Sequence, residues 1–281
     1  VDNNSADGTA EMVSGEYPGI KLIKNNANVG YAAAVNRGVL HSEAEVIIIS
    51  NSDIEFTKDA IEKLSKYTLK NVEVGCVGPQ QVFPDGSWQR SYGDFPGIRL
   101  ALKEFFFAEM LRNGIRKLFW KRLPIDRLPK EADYIDGACI AIRRELFENA
   151  GGFDEDYFFY TEEADFCYRL KKNGYVSIFN PKAKIMHYRG AATGEPGTNI
   201  KALRMLVESK ILFCKKHYIR RNMLNYIILE KLNCAEKAAF WRIISMASGK
   251  NKNHALAKID YYRKMKKIWA ENLELIKRNR V

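Results

Sequence analysis

Histidine is scarce in this chain: four residues among 281, so any metal centre must lean on carboxylates. The five cysteines (Cys76, Cys139, Cys167, Cys214 and Cys234) are odd in number and scattered, with no C-x-x-C pair. That spacing argues against a structural zinc site or a disulfide framework and for a reducing compartment. No run of about 18 apolar residues occurs, so no spanning helix is expected. The opening residues carry no signal-peptide pattern. The expected location is therefore the cytoplasm, or the inner face of the plasma membrane as a peripheral protein.

What is present begins with 46% hydrophobic residues, enough for one large core or a domain with an appendage. The net charge of +11 is unevenly spread. From Lys201 onward there are 20 Lys/Arg against 6 Asp/Glu, whereas residues 1–200 hold 25 against 28. The chain reads as a catalytic body over 1–200 and a basic helical extension over 201–281. A basic tail points to a polyanionic partner, and an anionic membrane surface fits better than nucleic acid, since no base-reading motif accompanies the charge.

Apolar runs alternate with amphipathic stretches along the body. Val1-Asp2 reads as a strand end and Ile20–Ile23 as a short strand. Val46–Ile49 is a strand buried on both faces, and Val74–Val77 another. Helices are expected from about Thr9, from Tyr31 to about His41, and from a Thr57 cap to Lys70. Residues 96–124 mix basic and aromatic side chains, as in an interfacial helix, a lid or a peripheral helix. Ala138–Ile142 is a further strand, with a short helix after it ending at Gly151-Gly152. Tyr175–Phe179 and Lys184–His187 are read as two strands. In the tail, helices are expected over Ala202–Tyr218, Asn222–Phe240 and Ala255–Arg280, with a polar linker over Ser248–Asn253.

This alternation is that of an open α/β sheet, where ligands bind beyond the carboxyl ends of the strands. Asn51 and Asp53 fall at such an end, although an Asx turn explains them equally well. Phe153–Arg169 is more informative. Thr161 is the expected N-cap of a helix whose first turn holds Glu162 and Glu163, with Asp165 following. Helix-dipole capping accounts for acids there, but the preceding Tyr157-Phe158-Phe159-Tyr160 is too apolar for a solvated loop. Carboxylates at the edge of an aromatic-walled cleft would have raised pKa values and suit a general base.

Several segments occur in an order that resembles family 2 glycosyltransferases. They are Val1-Asp2-Asn3-Asn4-Ser5-x-Asp7-Gly8-Thr9, Asn28-Val29-Gly30-Tyr31 to Asn36-x-Gly38, and Asn51-Ser52-Asp53. Gly137-Ala138, Gly152-Phe153-Asp154-Glu155, Phe159-Tyr160-Thr161-Glu162-Glu163-x-Asp165 and His187 follow. The resemblance covers roughly residues 1–215 and is nearest to the rhamnosyltransferase-like enzymes of bacterial surface polysaccharide synthesis. It implies a GT-A fold: an open, mostly parallel sheet flanked by helices. It also implies an inverting transfer, with rhamnose as the candidate sugar, from a nucleotide-diphosphate sugar to a glycan or lipid-linked acceptor.

The same resemblance implies roles. Asp2, Asn4, Asn28, Gly30, Asn36, Asn51, Asp53 and Gly137 match nucleotide-sugar-binding positions. Asp53 matches the last acid of the D-x-D motif and, with His187, would hold Mg²⁺ or Mn²⁺. Glu163 aligns with the catalytic base, with Glu162 and Asp165 beside it. Trp88, Arg90 and Asp94 fall where acceptor contacts are expected. The family's first strand and helix precede the position of Val1, so part of the nucleotide half is expected to be missing. A nucleotidyltransferase is the main alternative, but it calls for a Gly-rich phosphate loop that is not visible. A non-catalytic nucleotide-binding or scaffold protein is the other.

Overall fold

The structure is a computed structural model describing residues 1–105, 128–188, 199–247 and 252–278. The chain divides into two compact units. One comprises Val1–Asp94 and Asp126–Arg189, the other Phe95–Ile125 and Gly190–Val281.

The first unit is built on a mixed sheet. Its strands are β1 (Val46–Ser50), β2 (Ile54–Phe56), β3 (Val74–Val82), β4 (Trp88–Gln89), β6 (Lys130–Ala132), β8 (Cys139–Arg143) and β9 (Val176–His187). Their order is β1-β8-β3-β9-β2, with β4 added on β3 and β6 on β9. β3 and β9 are parallel, and β8 runs antiparallel to both β1 and β3, so β1, β3 and β9 share one direction. β5 (Tyr92–Gly93) and β7 (Tyr134–Ile135) form a separate two-stranded ladder. The central strand β3 is buried at every position, as expected for a strand with a neighbour on each edge and layers on both faces.

Around the sheet lie α1 (Thr9–Glu16), α2 (Tyr31–Val39), α3 (Ala60–Lys70), α5 (Arg144–Asn149) and α6 (Glu162–Lys172). Helix α3 buries Ala60, Leu64 and Thr68, spaced by four, so one face meets the sheet. Ala60 and Leu64 pack with Val74, Val77, Cys139, Ala141, Ile178 and Ile185. The C-terminal carbonyls of α3 are gathered by Arg143, whose guanidinium donates to Thr68 and Asn71 at 2.9 and 3.1 Å, and to Val72 and Val74 at 2.8 Å each. The Thr68 and Asn71 carbonyls close α3, where a cation suits the dipole, while Val72 and Val74 belong to the segment that leads into β3. Gly78 of β3 is required by packing: a Cβ would lie 2.1 Å from Ile135 Cγ2.

Four expectations need correction. Ile20–Ile23 is not a strand; only an isolated parallel bridge joins Asp2 to Lys24, and Ile20 is exposed. Thr57 does not cap α3, because its hydroxyl donates to the Lys184 carbonyl at 2.7 Å; the helix starts at Ala60. Thr161 occupies the N-cap position of α6 but makes no side-chain cap bond and has φ 73°. The two strands expected over Tyr175–Phe179 and Lys184–His187 are one, Val176–His187. Its register against β3 shifts between Pro79 and Gln80, so Asn180 faces Pro79 and Lys184 faces Gln80.

The second unit is helical. Its described elements are α4 (Ile98–Lys103), α7 (Ile200–His217), α8 (Arg220–Ala247) and α9 (Lys252–Arg278). Asn199 caps α7, accepting from the Lys201 and Ala202 amides at 2.9 and 3.4 Å. Asn233 of α8 reaches the Ala101 carbonyl of α4 at 2.9 Å. Trp269 of α9 is fully buried and meets the Tyr226 ring edge-on at 5.6 Å. The rest of the basic-aromatic stretch, beyond Phe105, lies outside the described residues, as do 248–251 of the expected linker.

Candidate active site

The site lies in the first unit, where β1, β3 and β9 end. β1 stops at Ser50, and the Asn51 amide donates to the Ala138 carbonyl at 2.9 Å. The chain turns through Asp53 into β2, which pairs with β9 so that Ile54 lies opposite His187. That register, and a bond from the Tyr188 amide to the Asp53 carbonyl at 3.0 Å, brings Asp53 Oδ1 to 3.3 Å from His187 Nε2. Both side chains are nearly buried.

Helix α6 supplies the acids. Before it, Tyr160 and Thr161 both sit at φ 73°, in the left-handed region, a strained approach for a β-branched residue. This turn delivers Glu162 and Glu163 to the first turn of α6, where Glu162 Oε2 and Glu163 Oε2 are buried without a hydrogen-bond partner among the described residues. Desolvation pushes the Glu162 carboxyl up to about 7, with Asp136 adding to the rise. Glu163 is raised well above the usual carboxylate range by burial, then by Glu162 and Asp136. A buried acid pair of this kind holds on to a proton as a unit.

The surroundings explain the burial. Tyr31, at the start of α2, donates its hydroxyl to the Gly137 carbonyl at 3.0 Å and meets Phe159 edge-on at 5.9 Å. Burial and the nearby acids raise its phenol, which stays a donor. Phe147, Phe153 and Phe166 form a mutual cluster with centroids 5.1–5.4 Å apart. Gly30, at φ 89°, lets the Tyr31 amide reach the Phe158 carbonyl at 2.7 Å; a Cβ on Gly30 would sit 2.7 Å from that same oxygen.

The remaining expected site residues divide. Asp2 accepts from the Ser5 amide, and Asn28 Oδ1 accepts from Gly30 N at 3.0 Å. Asn4 is exposed, with φ 67°. The Asn36 amide grips the Phe153 backbone from both ends at 2.8 Å and reaches Glu155 at 2.9 Å, so it orders a loop. Asp165 accepts from Arg169 Nε at 2.8 Å and Tyr157 Oη at 3.2 Å, while Arg169 also binds the Ala150 and Gly152 carbonyls. Asp165 therefore fastens α6 to the preceding loop.

Sequence reading missed four residues. Asp136 stands within the acid group, its Oδ1 accepting from Ala138 N at 3.0 Å and Gln81 Nε2 at 3.4 Å; its place beside Gly137 was the available signal. Gln81 and Gln89 both approach His187 Nδ1 at 3.0 Å; a polar residue continuing the apolar Val74–Val77 run was the signal for Gln81, and Gln89 had none. Asn3 joins Asn25, Asn28, Val29 and Gly30, and only the folded loops reveal it.

The family model described as glycosyl transferase family 2 matches residues 1–151, more than half of the chain. The chain belongs to glycosyl transferase family 2. As a member of that family it is an inverting, nucleotide-sugar-dependent glycosyltransferase. Among relatives, the N-acetylglucosaminyl-diphospho-decaprenol L-rhamnosyltransferase of Mycobacterium tuberculosis is 29% identical over 226 residues, covering 72% of this chain and 70% of the relative. The dTDP-rhamnosyl transferase RfbF of Shigella flexneri is 24% identical over 234 residues, covering 82% and 70%.

Two solved structures share the family 2 enzyme's fold. GalNAc-T7, with UDP, GalNAc and Mn²⁺, superposes with a TM-score of 0.54 at 15% identity, over 95% of this chain and 47% of that one. The mannosyltransferase PcManGT of Pyrobaculum calidifontis, with GDP-Man and Mn²⁺, gives 0.53 at 19% identity, over 96% and 73%. The transferase therefore has the expected GT-A fold. Among the described residues no group of three or more His, Cys, Asp and Glu could hold a metal. The Asp53–His187 pair nevertheless offers one carboxylate oxygen and one imidazole nitrogen. That is enough for an ion that takes its other ligands from substrate phosphates and water.

Proposed function

We propose that this transferase moves a deoxyhexose, rhamnose being the leading choice, from a nucleoside diphosphate to a lipid-linked or glycan hydroxyl, with Glu163 as the base. The observation that carries the reading is the pair of buried, unpartnered carboxylate oxygens on Glu162 and Glu163. A carboxylate oxygen kept from water, with no donor among the described residues, is open to an acceptor hydroxyl. The names of the mycobacterial and Shigella relatives support rhamnose, and the former supports a diphospho-lipid acceptor.

In the proposed reaction the acceptor oxygen bonds to the anomeric carbon as Glu163 takes its proton. The bond from that carbon to the diphosphate breaks on the opposite face, which inverts the centre. Glu162 and Asp136 keep the Glu163 carboxylate basic through their charge. Asp53 and His187 would hold Mg²⁺ or Mn²⁺, which would neutralise charge on the departing diphosphate. The exposed basic side chains of the helical unit are proposed to meet an anionic membrane surface.

Incubation with dTDP-rhamnose and a panel of other sugar nucleotides, with a polyprenyl-diphosphate glycan as acceptor, tests the donor assignment. Transfer from another sugar nucleotide alone would overturn rhamnose. Thermal shifts with dTDP, UDP and GDP, with and without Mn²⁺, test the metal reading. Asp53→Ala is expected to abolish the Mn²⁺-dependent shift, whereas Glu163→Gln is expected to keep it and lose transfer.

A further inference from the structure

Gln81 of β3 and Gln89 of β4 lie opposite each other in an antiparallel pair, and both are buried, with 0% and 1% exposure. A glutamine in the middle of a sheet must find partners for both ends of its amide. Each nitrogen end is fixed by an acceptor: Gln89 Nε2 donates to the His187 carbonyl at 2.8 Å, and Gln81 Nε2 faces Asp136 Oδ1 at 3.4 Å. Flipping either amide would set its oxygen against that carbonyl or carboxylate. The oxygen ends are therefore the ones turned to the imidazole, each 3.0 Å from Nδ1.

Two acceptors on one ring nitrogen require that nitrogen to carry a hydrogen. In the neutral ring the hydrogen on Nδ1 is the only one, and Nε2 is left with a lone pair directed at Asp53 Oδ1, 3.3 Å away. Two lone pairs so placed repel unless a proton or a metal ion lies between them.

We infer that Gln81 and Gln89 are positioning residues that lock the Nδ1–H tautomer of His187 and so reserve Nε2, with Asp53, for the divalent cation of the donor diphosphate. The ligand role rests on the metal reading above; the tautomer lock does not. Gln81 has a second function, because its amide nitrogen contacts Asp136 beside the Glu162/Glu163 pair. One buried side chain thereby joins the donor-binding end of the site to the acid end.

The test is side-chain ¹⁵N NMR of the full chain without metal, at about pH 8, above the usual histidine range. His187, one of only four histidines, is expected to show Nδ1–H in the native protein. In the Gln81→Met/Gln89→Met double variant the hydrogen is expected on Nε2, where Asp53 accepts it. Mn²⁺ binding, followed by EPR, is expected to weaken about 10–100-fold. Gln81→Glu in the Gln89→Met background restores an oxygen at Nδ1 and is expected to restore the tautomer. Native His187 with its hydrogen on Nε2 overturns the proposal without any variant, and so does a double variant that keeps both Nδ1–H and native Mn²⁺ affinity. If the tautomer shifts as expected but the native chain binds no Mn²⁺, the lock stands and the metal reading falls.

Discussion

At the scale of single residues, the chemistry rests on how far the acid pair is from water. Burial raises both Glu162 and Glu163 above the ordinary 4.5, Glu162 to about 7. A base must be deprotonated, so kcat/KM is expected to climb with pH through a range well above that of an ordinary carboxylate and then level. The same shift has a consequence for stability. Between pH 4.5 and about 7 the folded protein keeps a proton that the unfolded chain has released, so stability falls as pH rises across that window. Glu162→Gln removes the cost, and its Tm is expected to exceed the native value at pH 8 by more than at pH 5. An equal difference at both values would refute the raised carboxyl. Glu163→Gln is expected to lower kcat about 10²–10⁴-fold, measured under saturating donor; undiminished turnover would move the base to Glu162. The pair itself was legible in the sequence because the acids follow four aromatic residues. The involvement of Asp136, Gln81 and Gln89 was not, since hydrogen bonds between residues as distant as 81 and 187 depend on strand register.

At the scale of elements, Arg143 is the residue whose loss the fold should feel most plainly. It satisfies four carbonyls at the end of α3, yet lies at the opposite end of β8 from Cys139, which pairs with Ser50 beside the site. Arg143→Met removes those four bonds and is expected to cost about 2 kcal/mol, although the Asn71 carbonyl keeps the Val74 amide. Denaturant unfolding would record the loss, while turnover per folded molecule should stay native. Arg143→Lys should recover only part, since an ammonium cannot fork to four acceptors. Elements with a strong local signal were the easy ones to read: the Val46–Ile49 run, the helix after Gly30, and the acid-rich α6. Boundaries decided by tertiary bonds were not. The Thr57 hydroxyl looks like a cap in sequence, but β9 offers it the Lys184 carbonyl. The Asn180-Pro181 step resembles a break in β9, but a register shift carries the strand through it.

At the scale of the whole molecule, the question is what the excess of positive charge in the tail does. The basic tail reads from sequence as a surface for an anionic membrane. In the structure Met265, Ile268, Trp269 and Leu273 are buried within the helical unit. No helix among the described residues is long and apolar enough to cross a bilayer. What α9 leaves exposed includes the charges Arg263, Lys266, Lys267, Lys277 and Arg278, beside Leu256 and Leu275. Attachment through such a surface is electrostatic, at about 1 kcal/mol per basic residue near anionic lipid, and is screened over roughly 10 Å at 0.1 M salt. The protein is therefore expected to co-sediment with phosphatidylglycerol vesicles at low salt, to release in about 0.5 M salt, and to ignore phosphatidylcholine. Lys266→Glu/Lys267→Glu should weaken binding by at least tenfold, since each reversal turns an attraction into a repulsion. Transfer to a water-soluble acceptor should be unchanged in that variant. Binding that survives high salt would overturn electrostatic attachment and point instead to insertion of exposed apolar side chains such as Ile243 and Met246.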